Sequence, residues 1–295
     1  MSDPHLLIFG PGYVGAAVAR AAAAAGFAVT LATRRAAPPP IPGARPLPFA
    51  DAAAAITAAT HLFSTVPPPG DGGAGEGTDP VLDRYAAAIE AAPHLRWAGY
   101  CSTTGVYGDR GGGWVDERTP PAPGQDRSRR RLRAEQAWAA PAGRIAVDLF
   151  RIAGIYGPGR SPLDDLRAGR ARRILRPGHV FCRIHRDDIV AAVLAAMRSA
   201  SGSGLRVLNL SDDEPAESSD VVAEAARLLG LPPPPPVPFA AIEGQMSAMA
   251  RSFWQECRRV SSARTQAALG LAWRYPTFRE GLGAILAAER EHGVA

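Results

Sequence analysis

The sequence predicts an α/β fold: a doubly wound parallel sheet with a smaller, discontinuous C-terminal lobe. Three observations predict it. Short apolar runs alternate with alanine-rich, helix-like segments, the pattern of parallel strands joined by crossover helices. The first apolar run enters a glycine turn, Gly10-x-Gly12-x-x-Gly15, and leaves it into a helix-like segment. The length of 295 residues, 46% of them hydrophobic, suits one large α/β domain or such a domain carrying a lobe.

The elements follow in order. Leu6–Phe9 is an apolar run bounded by His5 and Gly10 and reads as the first strand. Gly12–Ala25 is alanine-rich and free of proline, and reads as a helix. Ala28–Ala32 is the second strand, and Arg45–Phe49 a short further one. His61–Val66 and Trp97–Cys101 are strands that flank a helix at Asp79–Ala91. A helix at Ser128–Ala139 precedes a strand at Ile145–Arg151. A helix at Arg186–Ser199 precedes a strand at Val207–Leu210. The helix Ser218–Leu229 has serine and acidic residues at its start, and Gly230 followed by proline at its end. Ala36–Pro42, Pro67–Gly77 and Pro232–Pro238 are proline- and glycine-rich connectors. The Pro67–Gly77 loop follows a strand's carboxyl end, where open α/β sheets bind ligands. The alternation lapses at Gly157–His179 and after about Asp212. Residues 1–156 and 183–211 are therefore expected to form the nucleotide-binding domain, and 157–182 with 212–295 the substrate lobe.

The glycine turn has a specific chemistry. Gly10 permits a tight bend, Gly12 lets main chain approach a phosphate, and Gly15 lets helix pack on strand, while free helix N–H groups face the anion. This makes the expected fold Rossmann-type and the expected ligand a dinucleotide. The second strand ends in Thr33-Arg34-Arg35, where a carboxylate would select a free ribose hydroxyl. Guanidinium groups suit a 2′-phosphate, so NADP is expected rather than NAD. The other reading of the two arginines is a solvated surface pair.

Composition bounds the chemistry. The net charge is +5, and all 33 basic residues are arginine; the chain has no lysine. Schiff-base catalysis and a Walker lysine are thereby excluded. The basic excess suits an anionic cofactor and a small, anionic substrate. The one arginine run, Arg127–Arg133, has no interleaved aromatics, so a nucleic-acid partner is not expected. No apolar run is long enough to span a bilayer, and no basic leader with an apolar stretch opens the chain. No membrane partner and a cytoplasmic location are expected, as a monomer or homodimer. Cys101, Cys182 and Cys257 lack metal-ligand or disulfide spacing, and no metal is expected.

A second group of motifs carries a resemblance. "YCSTTGVYGD" spans Tyr100–Asp109, "FRIAGIYGPGR" spans Phe150–Arg160, and "RIHRDDI" spans Arg183–Ile189. With the glycine turn, and in this order, they resemble the extended branch of the short-chain dehydrogenase/reductase superfamily, the NAD-dependent epimerase/dehydratase-like proteins. The resemblance implies hydride transfer on a hydroxyl or carbonyl. It implies cofactor contacts from Gly10, Gly12, Tyr13, Val14 and Gly15, from Thr65, Val66 and Pro67, and near the nicotinamide from Ala153–Ile155. It implies that Thr103 polarises a substrate oxygen, flanked by Ser102 and Thr104.

One departure stands out. The family's acid/base pair, Y-x-x-x-K, falls here on Arg127 and Arg131. A guanidinium stays protonated and cannot move the substrate proton. Arg131 is expected to hold ribose hydroxyls or an anion, and Arg127 an anionic substrate group; a solvated basic helix is the competing reading. Tyr107 is the first candidate for a replacement acid, with Tyr156 behind it. Asp109, Asp116 and Glu117 read as solvated acids or substrate-side contacts. His185, Asp187 and Asp188 read as a structural histidine and helix-capping aspartates rather than a metal cluster. The expected function is an atypical NADP-dependent oxidoreductase or epimerase. The alternative is a non-catalytic NADP(H)-binding sensor or scaffold.

Overall fold

Strands that are apolar on both faces need helices on each side, and the chain supplies them. The computed structural model describes residues 4–36, 38, 40–70 and 79–291. Residues 71–77 of the expected ligand loop, and 37 and 39 of the first connector, lie outside them. Seven strands form the main sheet: β1 (His5–Phe9), β2 (Ala28–Thr33), β3 (Ala44–Pro48), β4 (His61–Ser64), β5 (Trp97–Thr103), β6 (Ala146–Ile152) and β7 (Gly204–Leu210). Their order is β7-β6-β5-β4-β1-β2-β3, and every pairing is parallel. The chain winds outward from β1 to β3, then returns to β4 and winds the other way. The switch lies between the carboxyl ends of β1 and β4, beside the glycine turn.

The helices that precede and accompany these strands are α1 (Tyr13–Ala24), α2 (Ala53–Ala58), α3 (Pro80–Ala91), α4 (Asp126–Trp138), α5 (Pro162–Arg167), α6 (Arg186–Ser199) and α7 (Ser218–Leu229). Side chains alternate along each strand. Leu6 and Ile8 therefore meet Val14 and Val18 of α1 and Ile189 and Val193 of α6 on one face. Leu7 and Phe9 meet Ile56, Val81, Ile89 and Trp138 of α2, α3 and α4 on the other. Helix α3 begins where Asp79 accepts from the amides of Val81 (2.9 Å) and Leu82 (3.2 Å), with Pro80 in the first turn. Helix α7 stops at Gly230, whose φ of +67° only glycine adopts readily.

Two buried ionic clusters tie the sheet together. Asp148 on β6 takes both arms of Arg206 on β7 (2.6 and 2.7 Å) and the indole N–H of Trp97 on β5 (2.6 Å). Glu135 on α4 takes Arg151 of β6 (2.8 and 3.1 Å) and the Ser102 hydroxyl of β5 (2.5 Å).

A separate small core brings Tyr156 and Leu163 against Val221 and Ala225 of α7 and Phe278, Leu282 and Ile285 of the helix Phe278–Glu291. A short parallel ladder, Trp114–Val115 with Arg259–Val260, ties the C-terminal part of the chain to the segment that follows β5. The strand expected to end at Cys101 runs on to Thr103, because Ser102 and Thr103 pair with Arg151 and Ile152. Among the described residues no helix is long and apolar enough to cross a membrane.

Candidate cofactor and substrate site

The glycine turn is built by close contact. Gly10 has φ +76°, and a Cβ there would sit 3.0 Å from Val66 Cγ2 and 3.1 Å from Thr65 Oγ1. A Cβ on Gly15 would lie 2.7 Å from the Gly10 carbonyl oxygen, whereas one on Gly12 would meet nothing nearer than 4.0 Å. Gly15 is therefore required by packing, and Gly12 faces open space. Thr65 holds the turn, donating its amide to Phe9 O at 3.0 Å and its hydroxyl to Gly10 O. Gly12 is the N-cap of α1, and no side chain caps that helix. Its first-turn N–H groups, with the positive end of the helix dipole, are left for an anion.

The flanking residues divide by role. Val14 is buried in the core, so only its main chain serves the turn. Tyr13 donates its hydroxyl to Pro158 O (3.0 Å), its ring beside the guanidinium groups of Arg160 and Arg186, and so joins the turn to the 157–160 loop. Thr33 is buried and accepts the Arg35 amide at 3.1 Å. Arg34 and Arg35 are exposed at the end of β2, and their side chains have no partner among the described residues. Val66 is buried, and Pro67 exposed beyond it.

A cavity of about 770 Å³ opens between the sheet's carboxyl edge and the lobe. Thr103, Thr104, Arg127, Arg131, Ala153 and Tyr156 all line it, although they come from three separate segments. Thr103 Oγ1 accepts the Gly105 amide at 3.1 Å, and its hydroxyl proton remains available to a ligand. Arg131 donates to Cys101 O at 2.5 Å and to the Tyr100 hydroxyl at 3.3 Å. Arg127 stacks over the Phe253 ring at 3.8 Å, and burial pulls its pKa down.

Two expected site residues are elsewhere. Tyr107 is fully buried outside the cavity wall; its hydroxyl donates to Asn209 Oδ1 at 2.7 Å, and burial raises its pKa. A phenol so placed and so disfavoured as an anion is poorly suited to proton transfer on a substrate in this cavity. The cause is the 3₁₀ turn Thr104–Tyr107, which turns the side chain inward. Ser102 is likewise absent from the wall, because Glu135 holds its hydroxyl behind the sheet edge. Tyr156 does line the cavity, but its hydroxyl points to Thr277 O (3.4 Å), and burial raises its pKa strongly. Asp109 accepts the Cys257 amide (2.7 Å), and Glu117 the Thr265 hydroxyl (2.7 Å).

His185 itself, rather than an aspartate, caps α6, its Nδ1 accepting the Asp187 amide at 3.2 Å. Asp188 instead accepts the amides of Arg274 (2.8 Å) and Tyr275 (3.1 Å). Burial lowers the His185 pKa to about 4. Among the described residues no histidine, cysteine and carboxylate group could hold a metal.

The sequence reading missed the far wall: Phe181, Arg183, Phe253, Trp254, Glu256 and Arg258. Arg183 lay inside a quoted motif, but nothing in its spacing marked it. The others sit on a stretch with no periodic signal.

The whole chain has relatives of known structure. A conserved protein of unknown function from Silicibacter pomeroyi is 41% identical over 97% of this chain and 99% of its own, with a TM-score of 0.84. The human epimerase family protein SDR39U1, solved with NADPH, shares the fold at 20% identity, over 96% of this chain and 99% of its own, with a TM-score of 0.76. A 3-diazoavenalumate denitrifying reductase from a Streptomyces species is 31% identical over 147 residues, 47% of this chain and 47% of that one. The chain thus matches about half the length of such curated relatives. No family model matches. Motif order, sheet topology and whole-length likeness agree: the chain has the doubly wound fold shared by epimerase family proteins, and its motifs resemble those of the extended, NAD-dependent epimerase/dehydratase-like short-chain dehydrogenases/reductases.

Proposed function

We propose that the protein is an NADP-dependent oxidoreductase or epimerase of the atypical extended type, acting on a hydroxyl or carbonyl of a small anionic molecule. The observation that carries this reading is the uncapped start of α1 at the sheet's switch point, with open space at Gly12 and two arginines at the end of β2 that have no partner among the described residues. These residues fit a phosphorylated dinucleotide. Main chain at Gly10, Gly12, Tyr13, Val14 and Gly15 would hold the diphosphate; Thr33, Arg34 and Arg35 the 2′-phosphate; and Thr65, Val66 and Pro67 the adjoining edge. Arg131 would meet the ribose hydroxyls and Ala153 the nicotinamide. Bound there, the coenzyme supplies or accepts a hydride. Thr103 donates its hydroxyl proton to the substrate oxygen, with Thr104 beside it. Arg127 and Arg131 give the wall its positive field. Tyr156 shapes the wall, and water carries the proton. The lobe of residues 157–182 and 212–295 encloses the substrate. Ser102 and Tyr107 take no part in this scheme, since Glu135 and Asn209 hold their hydroxyls.

One observation favours a second reading, a non-catalytic NADP(H) sensor or scaffold. Arginines occupy both positions of the acid/base pair, and the phenol in the wall, Tyr156, is turned away. Calorimetry with NADPH and NADH tests the shared premise. NADPH should bind more tightly, and Arg34→Ala should weaken NADPH about 10-fold or more while leaving NADH nearly unchanged. Heat from neither coenzyme rejects both readings. Tight NADPH binding without turnover across carbonyl compounds and nucleotide sugars selects the second.

A further inference from the structure

We propose that the cavity is built for a planar, apolar carboxylic acid, aromatic or polyenoic, whose carboxylate docks on Arg183, rather than for a nucleotide sugar. This rests on the proposed function only in setting the molecule's other end beside Thr103 and Ala153.

The charges point to an anion. Arg127, Arg131, Arg183 and Arg258 line the cavity against one carboxylate, Glu256. Three of the four cations are already engaged. Arg258 pairs with Glu256 at 2.9 Å and donates to Gly108 O at 2.6 Å. Arg131 is held by Cys101 O, and Arg127 lies on Phe253. Arg183 differs. Its Nη1 donates to Phe181 O (2.8 Å) and Ala216 O (3.2 Å), which fixes the guanidinium. Its Nε and Nη2 have no hydrogen-bond acceptor among the described residues. Burial lowers the pKa of Arg183, as expected for a cation taken out of water. Its carboxyl neighbour Asp212 favours the cation but does not occupy it: both Asp212 oxygens are buried without a hydrogen-bond partner, and burial pushes that carboxyl up to about 8. A fixed fork with two free N–H groups matches a carboxylate's two oxygens.

The walls select the body. Phe181, Phe253, Trp254, Phe278, Met249 and Leu282 face the cavity, and Phe181 packs edge-on to Trp254 at 4.9 Å. Flat apolar surfaces of this kind favour a flat apolar ligand. A sugar or a uracil favours walls rich in side chains that both donate and accept hydrogen bonds. Among the described residues no Asn, Gln or Asp lines the wall, and Glu256 gives one oxygen to Arg258, leaving only its buried Oε1 without a partner. Arg183 sits opposite Gly154 in a parallel ladder, one residue beyond Ala153. A molecule anchored there reaches back along the cavity to the sheet edge.

The test is calorimetry on the full-length protein saturated with NADPH, using trans-cinnamate, its neutral analogue cinnamamide, UDP-glucose and inorganic phosphate as probes. The expected result is that cinnamate binds at least tenfold more tightly than the amide and than UDP-glucose. Arg183→Gln should weaken cinnamate tenfold or more with NADPH affinity within twofold, and Arg183→Lys should recover part of the loss. Equal binding of acid and amide in the wild type overturns the proposal without recourse to any variant. So does preference for UDP-glucose, or displacement of cinnamate by equimolar phosphate, which would make the site one for phosphoesters. If NADPH itself does not bind, the coenzyme reading falls, and the acid-versus-amide comparison on the protein alone still decides this one.

Discussion

Gly12 and Gly15 lie three residues apart in one turn, yet substitution by alanine should separate folding from binding. At Gly15 the added Cβ would stand 2.7 Å from the Gly10 carbonyl oxygen, and main chain rather than a flexible side chain must give way. Overpacking of that kind costs about 1–3 kcal/mol. Alanine's better helix propensity returns up to about 1 kcal/mol. Gly15→Ala should therefore lose up to about 2 kcal/mol, a drop of a few degrees in Tm. At Gly12 the nearest atom to a Cβ is 4.0 Å away, and φ is an ordinary −80°. Gly12→Ala should cost under about 1 kcal/mol, the loss of a modest N-cap preference. The same methyl would, however, hold a phosphate oxygen off the α1 amides. Loss of one charge-assisted hydrogen bond is worth about 1.5–3 kcal/mol, so NADPH should bind about 10- to 100-fold more weakly. Circular dichroism melts and NADPH titration on both variants read the two effects independently. The reasoning is refuted if Gly12→Ala binds NADPH within threefold of wild type, or if Gly15→Ala melts no lower than Gly12→Ala.

Three further outcomes are expected. Asp148→Ala leaves Arg206 and the Trp97 indole without their buried acceptor, and should cost about 3–5 kcal/mol, seen as an earlier urea midpoint. An unchanged midpoint would show that this cluster adds no stability. Asp212 has a folded pKa raised to about 8, against 3.8 for the free group, so its contribution to stability is fully present below 3.8 and is lost as pH rises through 8. Between pH 7 and 9 it should remove about 1.4 kcal/mol; Asp212→Asn should lack that decline, and parallel pH–Tm curves for the two proteins would contradict the assignment. Thr103→Val should lower kcat about a hundredfold with NADPH affinity intact, while Thr103→Ser restores most of it, and full turnover in the valine variant would exclude the polarising role.

The central strands were legible because each is a run of apolar residues bounded by turn formers, and burial on both faces leaves little else they could be; β3, with two prolines and mostly exposed, was read only as a short further strand. Helix α2 was not, since Ala53–Ala58 is six residues of mostly alanine with no cap and no periodicity to read. The phosphate turn was legible because its chemistry is local: a strand, three glycines and a helix in one stretch. The cavity was not, because its walls meet only in space. Arg183 stands some seventy residues from Glu256 and Arg258, and which arginine keeps N–H groups without an acceptor is a fact of packing. Tyr107 misled for the opposite reason. It stands four residues from Thr103 in the chain, but one 3₁₀ turn carries its hydroxyl to Asn209.

Strand β3, at one margin of the sheet, reads Ala-Arg-Pro-Leu-Pro. Alternate residues of a strand direct their amides to the same side, so Pro46 and Pro48 strip donors from a single flank. With the ladder to β2 intact, that flank is the solvent side. An incoming strand from another molecule finds too few N–H groups to grip there, and a chain this rich in β-forming runs is spared polymerisation along its margin.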